Sequence, residues 1–153
     1  MPDAAAKPRN IHGTAVLVGE RGVLITGPSG AGKTTLALAL IDHCRARGLF
    51  ARLVGDDQLF AVAHGGRLVC RAPASIAGLA EVHGIGPRPL AFEPAAVIDL
   101  MVRLVEPADM ARLQDEAAET IDGCRLPRVD VARQNITAAL SMLMARLSIQ
   151  PFS

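Results

Sequence analysis

Tryptophan and tyrosine are absent from this chain of 153 residues, and four phenylalanines make up its aromatic content. With no Trp or Tyr there is no stacking platform of the kind that holds bases or single-stranded nucleic acid. Half of the residues are nonetheless hydrophobic, so the core must be built from Ala, Leu, Val and Ile. The net charge of +1 provides no long-range field to draw in nucleic acid or an anionic membrane. No apolar stretch approaches the length of a membrane span. The first nine residues lack an apolar h-region and do not read as a secretory signal. Three cysteines, Cys44, Cys70 and Cys124, show no C-x-x-C spacing. They read as reduced, mostly buried thiols of a cytoplasmic protein, without a disulfide or zinc site. The length fits one domain with a substantial core. The expected organisation is a flexible leader over residues 1–10 and a single domain over 11–153.

Lysine is also scarce, with only Lys7 and Lys33 in the chain. The second completes Gly27-Pro28-Ser29-Gly30-Ala31-Gly32-Lys33-Thr34, which matches G-x-x-x-x-G-K-T directly after the apolar run Val23-Leu24-Ile25. A strand ending at Ile25 or Thr26 and a helix beginning near Lys33 form the strand–loop–helix setting of a phosphate-binding P-loop. Glycines let backbone N–H groups close around phosphate oxygens, and the helix N-terminus adds unpaired donors and a favourable dipole. Lys33 is expected to reach the terminal phosphates and the Thr34 hydroxyl to meet Mg²⁺. The ligand this implies is ATP with Mg²⁺, cradled by residues 27–34 and the adjoining Thr35.

Residues 11–18 read as a strand that turns into a second strand at 23–26. A helix over 34–47 follows, then a buried strand at 51–54, a hairpin pairing 59–63 with 67–71, and a long strand at 96–105. Residues 73–94 hold four prolines and three glycines and read as a long functional loop, not a packed element. Residues 107–120 suggest a short helix or loop, and residues 126–131 a strand. A final helix starts at Gln134 or Asn135. Strands with hairpin signals outnumber helices, unlike a strictly alternating βαβ chain.

Two further clusters carry chemistry. Asp56-Asp57 follows the buried strand, where a nucleotide enzyme places carboxylates that hold Mg²⁺ or polarise a nucleophile. One carboxylate can take the proton of an incoming hydroxyl while the other orients metal-bound water. The plainer alternative is a pair that ends a strand and caps the next turn. Glu81-Val82-His83-Gly84-Ile85-Gly86 places an acid and a histidine beside glycines that permit close backbone approach, or else forms a solvated loop. His12, beside the first strand, reads as structural or functional.

In their order along the chain these clusters resemble the catalytic domain of HPr kinase/phosphorylase. The resemblance rests on His12-Gly13, on the run from Gly22 to Thr34, on Leu53-Val54-Gly55-Asp56-Asp57, on Glu81 to Gly86, and loosely on Ala132-Arg133-Gln134-Asn135. His83 stands where the family signature has Arg. The resemblance implies an α/β P-loop kinase domain, similar in core to phosphoenolpyruvate carboxykinase, with a mixed sheet, hairpins and flanking helices. It also implies the short form that consists of the kinase domain alone, acting as a homo-oligomer. The implied activity is transfer of the γ-phosphoryl group of ATP to a serine of an HPr-type phosphocarrier protein, reversed by inorganic phosphate. In this reading Asp56 is the base, His12 supports its carboxylate, and Asp57 and Glu81 help Thr34 to order Mg²⁺. Lys33 neutralises the transferring group, and Arg133 contacts the phosphate or the partner. A small-metabolite P-loop kinase and a nucleotide-sensing switch with little catalysis are the alternatives.

Overall fold

The computed structural model describes residues 7–110 and 117–149. Its first strands, β1 (Arg9–His12) and β2 (Thr14–Val18), divide at Gly13 the segment expected to be one strand. A Cβ at Gly13 would lie 3.0 Å from the Ile25 carbonyl oxygen and 3.2 Å from a Leu24 methyl. A side chain there would force the neighbouring strand to give by a few tenths of an ångström, which glycine avoids. Arg9 and Asn10, placed in the leader by the sequence, belong to β1; residues 1–6 of that leader lie outside the described residues.

β2 runs antiparallel to β3 (Arg21–Thr26), which feeds the P-loop and helix α1 (Lys33–Arg45). β4 (Ala51–Gly55) returns alongside β2, and β5 (Gln58–His64) and β6 (Arg67–Arg71) form the expected hairpin. Residues 73–94 differ from expectation: β7 (Leu79–Val82) and β8 (Gly86–Pro89) make a separate two-stranded sheet. Pro87 and Pro89 lack an N–H, which an edge strand tolerates, so proline here did not exclude a hairpin.

The long strand β9 (Ala96–Val105) is the branch point of the main sheet. One edge runs parallel to β3; the other pairs with β6 at Ala96 and Val97 and then, parallel, with β11 (Cys124–Ala132). β10 (Ala117–Ile121) is antiparallel to β11. A 3₁₀ helix at Pro107–Asp109 bears out the short helix suggested within residues 107–120, whereas β10 takes the end of that segment; residues 111–116 lie outside the described residues. Helix α2 (Ile136–Arg146) starts as expected, with the Asn135 side chain accepting the Ala138 N–H.

The nine-stranded sheet has the order β1-β5-β6-β9-β3-β2-β4, with β11 and β10 attached to β9. Because both faces are covered, its central strands read as continuous apolar runs. On one face Leu36, Leu40 and Cys44 of α1 and Leu143 and Met144 of α2 pack on Val23, Ile25 and Val102. On the other, Leu24 and Met101 meet Leu59, Leu68 and Cys70 as the sheet curls over. The register between β3 and β9 skips Asp99, whose carboxylate accepts the Gly22 N–H at 3.0 Å. This bulge lets residues on both sides of it keep facing the core. All three cysteines are buried and free; burial pushes the Cys70 thiol up to about 12 and raises Cys44 as well. No described helix is long and apolar enough to cross a membrane.

Candidate active site

Where β3 ends, the chain turns through the P-loop into α1. Gly32, at φ 99°, is the N-cap, and no side chain caps the helix, so the amides of its first turn keep their donor capacity for a ligand. Lys33 is the first helical residue. Its stem is buried, and its Nζ donates to the carbonyls of Gly27 (3.1 Å) and Pro28 (3.2 Å). The ammonium thus lies across the loop, on carbonyls that it can exchange for phosphate oxygens. Ser29, Gly30, Gly32, Lys33, Thr34 and Thr35 line one wall of a cleft of about 590 Å³. Ala31 instead turns into the core. Asp56, Asp57, Glu81 and His83 line the same cleft.

The two aspartates occupy unlike environments. Asp56 is 5% exposed, and both of its oxygens accept hydrogen bonds. Oδ1 takes the hydroxyls of Thr14 and Thr34, each at 2.8 Å, and Oδ2 takes the backbone N–H of Glu81 at 2.8 Å. Asp57 is held at φ 68°, a left-handed conformation uncommon outside glycine, and its side chain is 60% exposed. The Gly13 N–H donates to its carbonyl at 3.0 Å, while its own N–H reaches the Thr14 hydroxyl at 3.4 Å. His12 Nε2 lies 2.5 Å from Asp57 Oδ1.

The expected pairing of His12 with Asp56 is therefore corrected: His12 meets Asp57. The left-handed turn at Asp57 sends the two side chains in different directions, and β1 delivers His12 only to the outer one. Asp56, nearly buried and holding three donors, presents less of its carboxylate to the cleft than the exposed Asp57 does. Glu81 stands on β7 with its side chain exposed at the cleft wall, and its backbone anchors Asp56. Arg133 lies behind the P-loop. It donates to the Gly30 carbonyl at 3.3 Å and to Glu106 at 2.9 Å, as a brace on the loop, and it is not among the residues that line the cleft. Thr14 is a site residue that sequence reasoning passed over. Its one signal was a hydroxyl in an otherwise apolar strand, which is common in β-structure.

No group of three or more His, Cys, Asp or Glu side chains among the described residues is arranged to hold a metal ion by itself. Mg²⁺ in phosphate sites keeps several waters and takes only one or two protein carboxylates beside the phosphates. The hard oxygens of Thr34 and Asp56, 2.8 Å apart at the base of the P-loop, suit that mode of binding.

Comparisons with known proteins agree with this geometry. The family model described as HPr Serine kinase C-terminal domain matches residues 3–143. The HPr kinase/phosphorylase of Clostridium beijerinckii is 41% identical over 86 residues, 56% of this chain and 26% of the relative. That of Limosilactobacillus reuteri is 35% identical over 138 residues, 82% of this chain and 41% of the relative. The chain thus spans well under half the length of these curated relatives. The structure titled Hpr(Ser) kinase/phosphatase from Coxiella burnetii superposes with a TM-score of 0.77 at 26% identity, covering 91% of this chain and 95% of that one. A P-loop, an Asp-Asp corner and a branched mixed sheet all lie within the matched span, so this chain belongs to the HPr Serine kinase C-terminal domain family.

Proposed function

We propose that this protein transfers the γ-phosphoryl group of ATP to a serine of an HPr-type phosphocarrier protein and reverses that transfer with inorganic phosphate. The observation that carries the reading is the meeting of Lys33 and Thr34 with Asp56, Asp57 and Glu81 in one cleft, on a fold whose relatives bear that name. In phosphoryl transfer there is little covalent chemistry for a protein to perform, so positioning and charge neutralisation dominate. Lys33 and the loop amides take the β- and γ-phosphates. Thr34 from the loop, with Asp56 behind its hydroxyl, and Glu81 at the rim would hold Mg²⁺, which would further neutralise the developing charge.

The environments of the two aspartates favour Asp57, not Asp56, as the base. Asp57 is exposed to the cleft and is oriented by the His12 imidazole. In the forward direction the serine Oγ attacks the γ-phosphorus, the bond from that phosphorus to the bridging oxygen of ADP breaks, and the serine proton passes to Asp57. In reverse, a phosphate oxygen attacks the phosphoserine, and protonated Asp57 returns the proton to the leaving serine Oγ, releasing diphosphate. His12 holds the carboxylate in one orientation in both directions. A homo-oligomer and a cytoplasmic setting belong to the same reading, the latter supported by the three free buried thiols.

The test is to incubate the protein with γ-labelled ATP, Mg²⁺ and an HPr-type protein, map the labelled residue, and then add phosphate. Label on one serine, released as diphosphate, is the expected result. Nucleotide hydrolysis without a protein acceptor would refute it.

A further inference from the structure

Among the described residues only three polar or charged side chains are buried: Thr14, Lys33 and Asp56. Lys33 and Asp56 belong to the machinery already described. Thr14 is fully buried in β2, where Ala15, Val16 and Val18 are apolar and a valine would fill the same space. Its hydroxyl has a definite polarity: the O–H donates to Asp56 Oδ1 at 2.8 Å, and the oxygen accepts the Asp57 N–H at 3.4 Å. One side chain therefore touches both members of the acidic pair. The same Oδ1 also accepts the Thr34 hydroxyl.

We propose that Thr14 is a positioning residue for the metal side of the nucleotide site. Asp56 Oδ1 receives two hydroxyl protons, and that fixes the direction of both donors. With its proton committed to Asp56, the Thr34 oxygen turns its lone pairs towards the cleft, where a phosphate-bound Mg²⁺ needs a ligand. Thr14 supplies the second tether that keeps Asp56 in the rotamer to which Thr34 points. It also ties down the amide of a residue in left-handed conformation, so the separation of the inward Asp56 from the outward Asp57 is anchored from β2. Removing the hydroxyl frees Asp56 to rotate and leaves the Thr34 oxygen without a fixed orientation. The loss falls on metal-dependent binding, whereas Lys33 and the loop amides hold nucleotide without metal.

The proposal rests on the P-loop reading above, and its test separates the two. A fluorescent ADP analogue is bound to the full chain, first in EDTA and then across a Mg²⁺ titration, for wild type, Thr14→Val, Thr14→Ala and Thr14→Ser. Loss of a residue that orients a metal ligand costs about 10–100-fold in metal affinity, so Thr14→Val should raise half-saturating Mg²⁺ by at least about tenfold. Binding in EDTA should stay within about twofold, and Thr14→Ser, which keeps the hydroxyl, should follow wild type. Thr14→Ala carries the expectation of Thr14→Val if the latter does not fold. A wild-type Mg²⁺ dependence in both hydroxyl-free variants would overturn the proposal. So would equal losses with and without Mg²⁺, or a Thr14→Ser that fails like Thr14→Val. Wild-type protein that binds no nucleotide at all would overturn the P-loop reading, and this proposal with it.

Discussion

The phosphate loop is one contiguous segment, residues 27–35, whereas the acidic corner facing it joins His12–Thr14, the Asp56–Asp57 turn and Glu81 from separate parts of the chain. The loop derives its shape from local chemistry: positive-φ glycines, a helix start and a lysine folded onto its own carbonyls. The corner has no such local code. Its two aspartates differ because the left-handed turn at Asp57 separates them and β1, β2, β7 and α1 bring different partners to each. Contiguity makes the loop tolerant of distant change, while the corner depends on every element that meets there.

Substitutions separate the two halves of the cleft. Asp57→Asn should slow phosphorylation of the protein acceptor by about 10²–10⁴-fold, because an amide cannot take the serine proton. Nucleotide affinity should be unchanged, and stability should move by less than about 0.5 kcal/mol, since the side chain is exposed and asparagine accepts a left-handed backbone. A transfer rate within about tenfold of wild type in a serine-phosphorylation assay would remove Asp57 from the base role, and would return attention to Asp56.

Lys33→Ala addresses the opposite wall. Loss of two charge-assisted contacts at about 1.5–3 kcal/mol each should weaken ATP binding by roughly 100-fold or more in calorimetry. The acidic corner should stay intact, since none of its hydrogen bonds involves Lys33.

Asp56→Asn should be milder in binding than Lys33→Ala, but costlier to the fold than Asp57→Asn. An amide nitrogen facing hydroxyl or N–H donors inside the protein leaves a buried hydrogen bond unmade, at about 1–3 kcal/mol in urea unfolding. If Asp56→Asn and Asp57→Asn prove equally stable, the contrast between the two aspartates fails.

Arg133→Ala removes the brace on Gly30 and the pair with Glu106. An effect of about 0.2–1 kcal/mol on nucleotide affinity is expected, since Glu106 is exposed and screened. The smallest effect lies away from the residues lining the cleft, where Arg9 of β1 pairs with Asp122 in the β10–β11 turn at 2.6 Å. The Arg9 guanidinium holds the Asp122 carboxyl below its usual 3.8. That contribution is complete above the unfolded value and is lost as pH falls through the lower folded one. Asp122→Asn should therefore flatten the acid limb of a melting-temperature profile below about pH 4 and leave the neutral limb almost unmoved.

Much of the fold could be read in advance wherever spacing along the chain fixed it. The β5–β6 hairpin was marked by His64-Gly65-Gly66, α1 by its P-loop, and β9 by a long, strongly apolar run. The β7–β8 sheet was not legible, because its prolines and glycines carry the composition of a loop and its pairing depends only on two edges meeting. β10 was missed for a related reason: its five residues gain strand geometry from β11, not from their own pattern. Within the site, Arg133 was read as contacting the phosphate or the partner, and the turn after β11 brings it to the Gly30 carbonyl of the loop.

The sequence alone determined the P-loop, the helix that follows it, and the presence of two acids after a buried strand, because each is encoded by neighbours within a few residues. Only the tertiary structure decided which acid is enclosed and which meets His12. Burial and hydrogen-bond direction belong to partners that arrive from β1, β2 and β7, and adjacent residues at opposite φ can be sent to different sides of the same cleft.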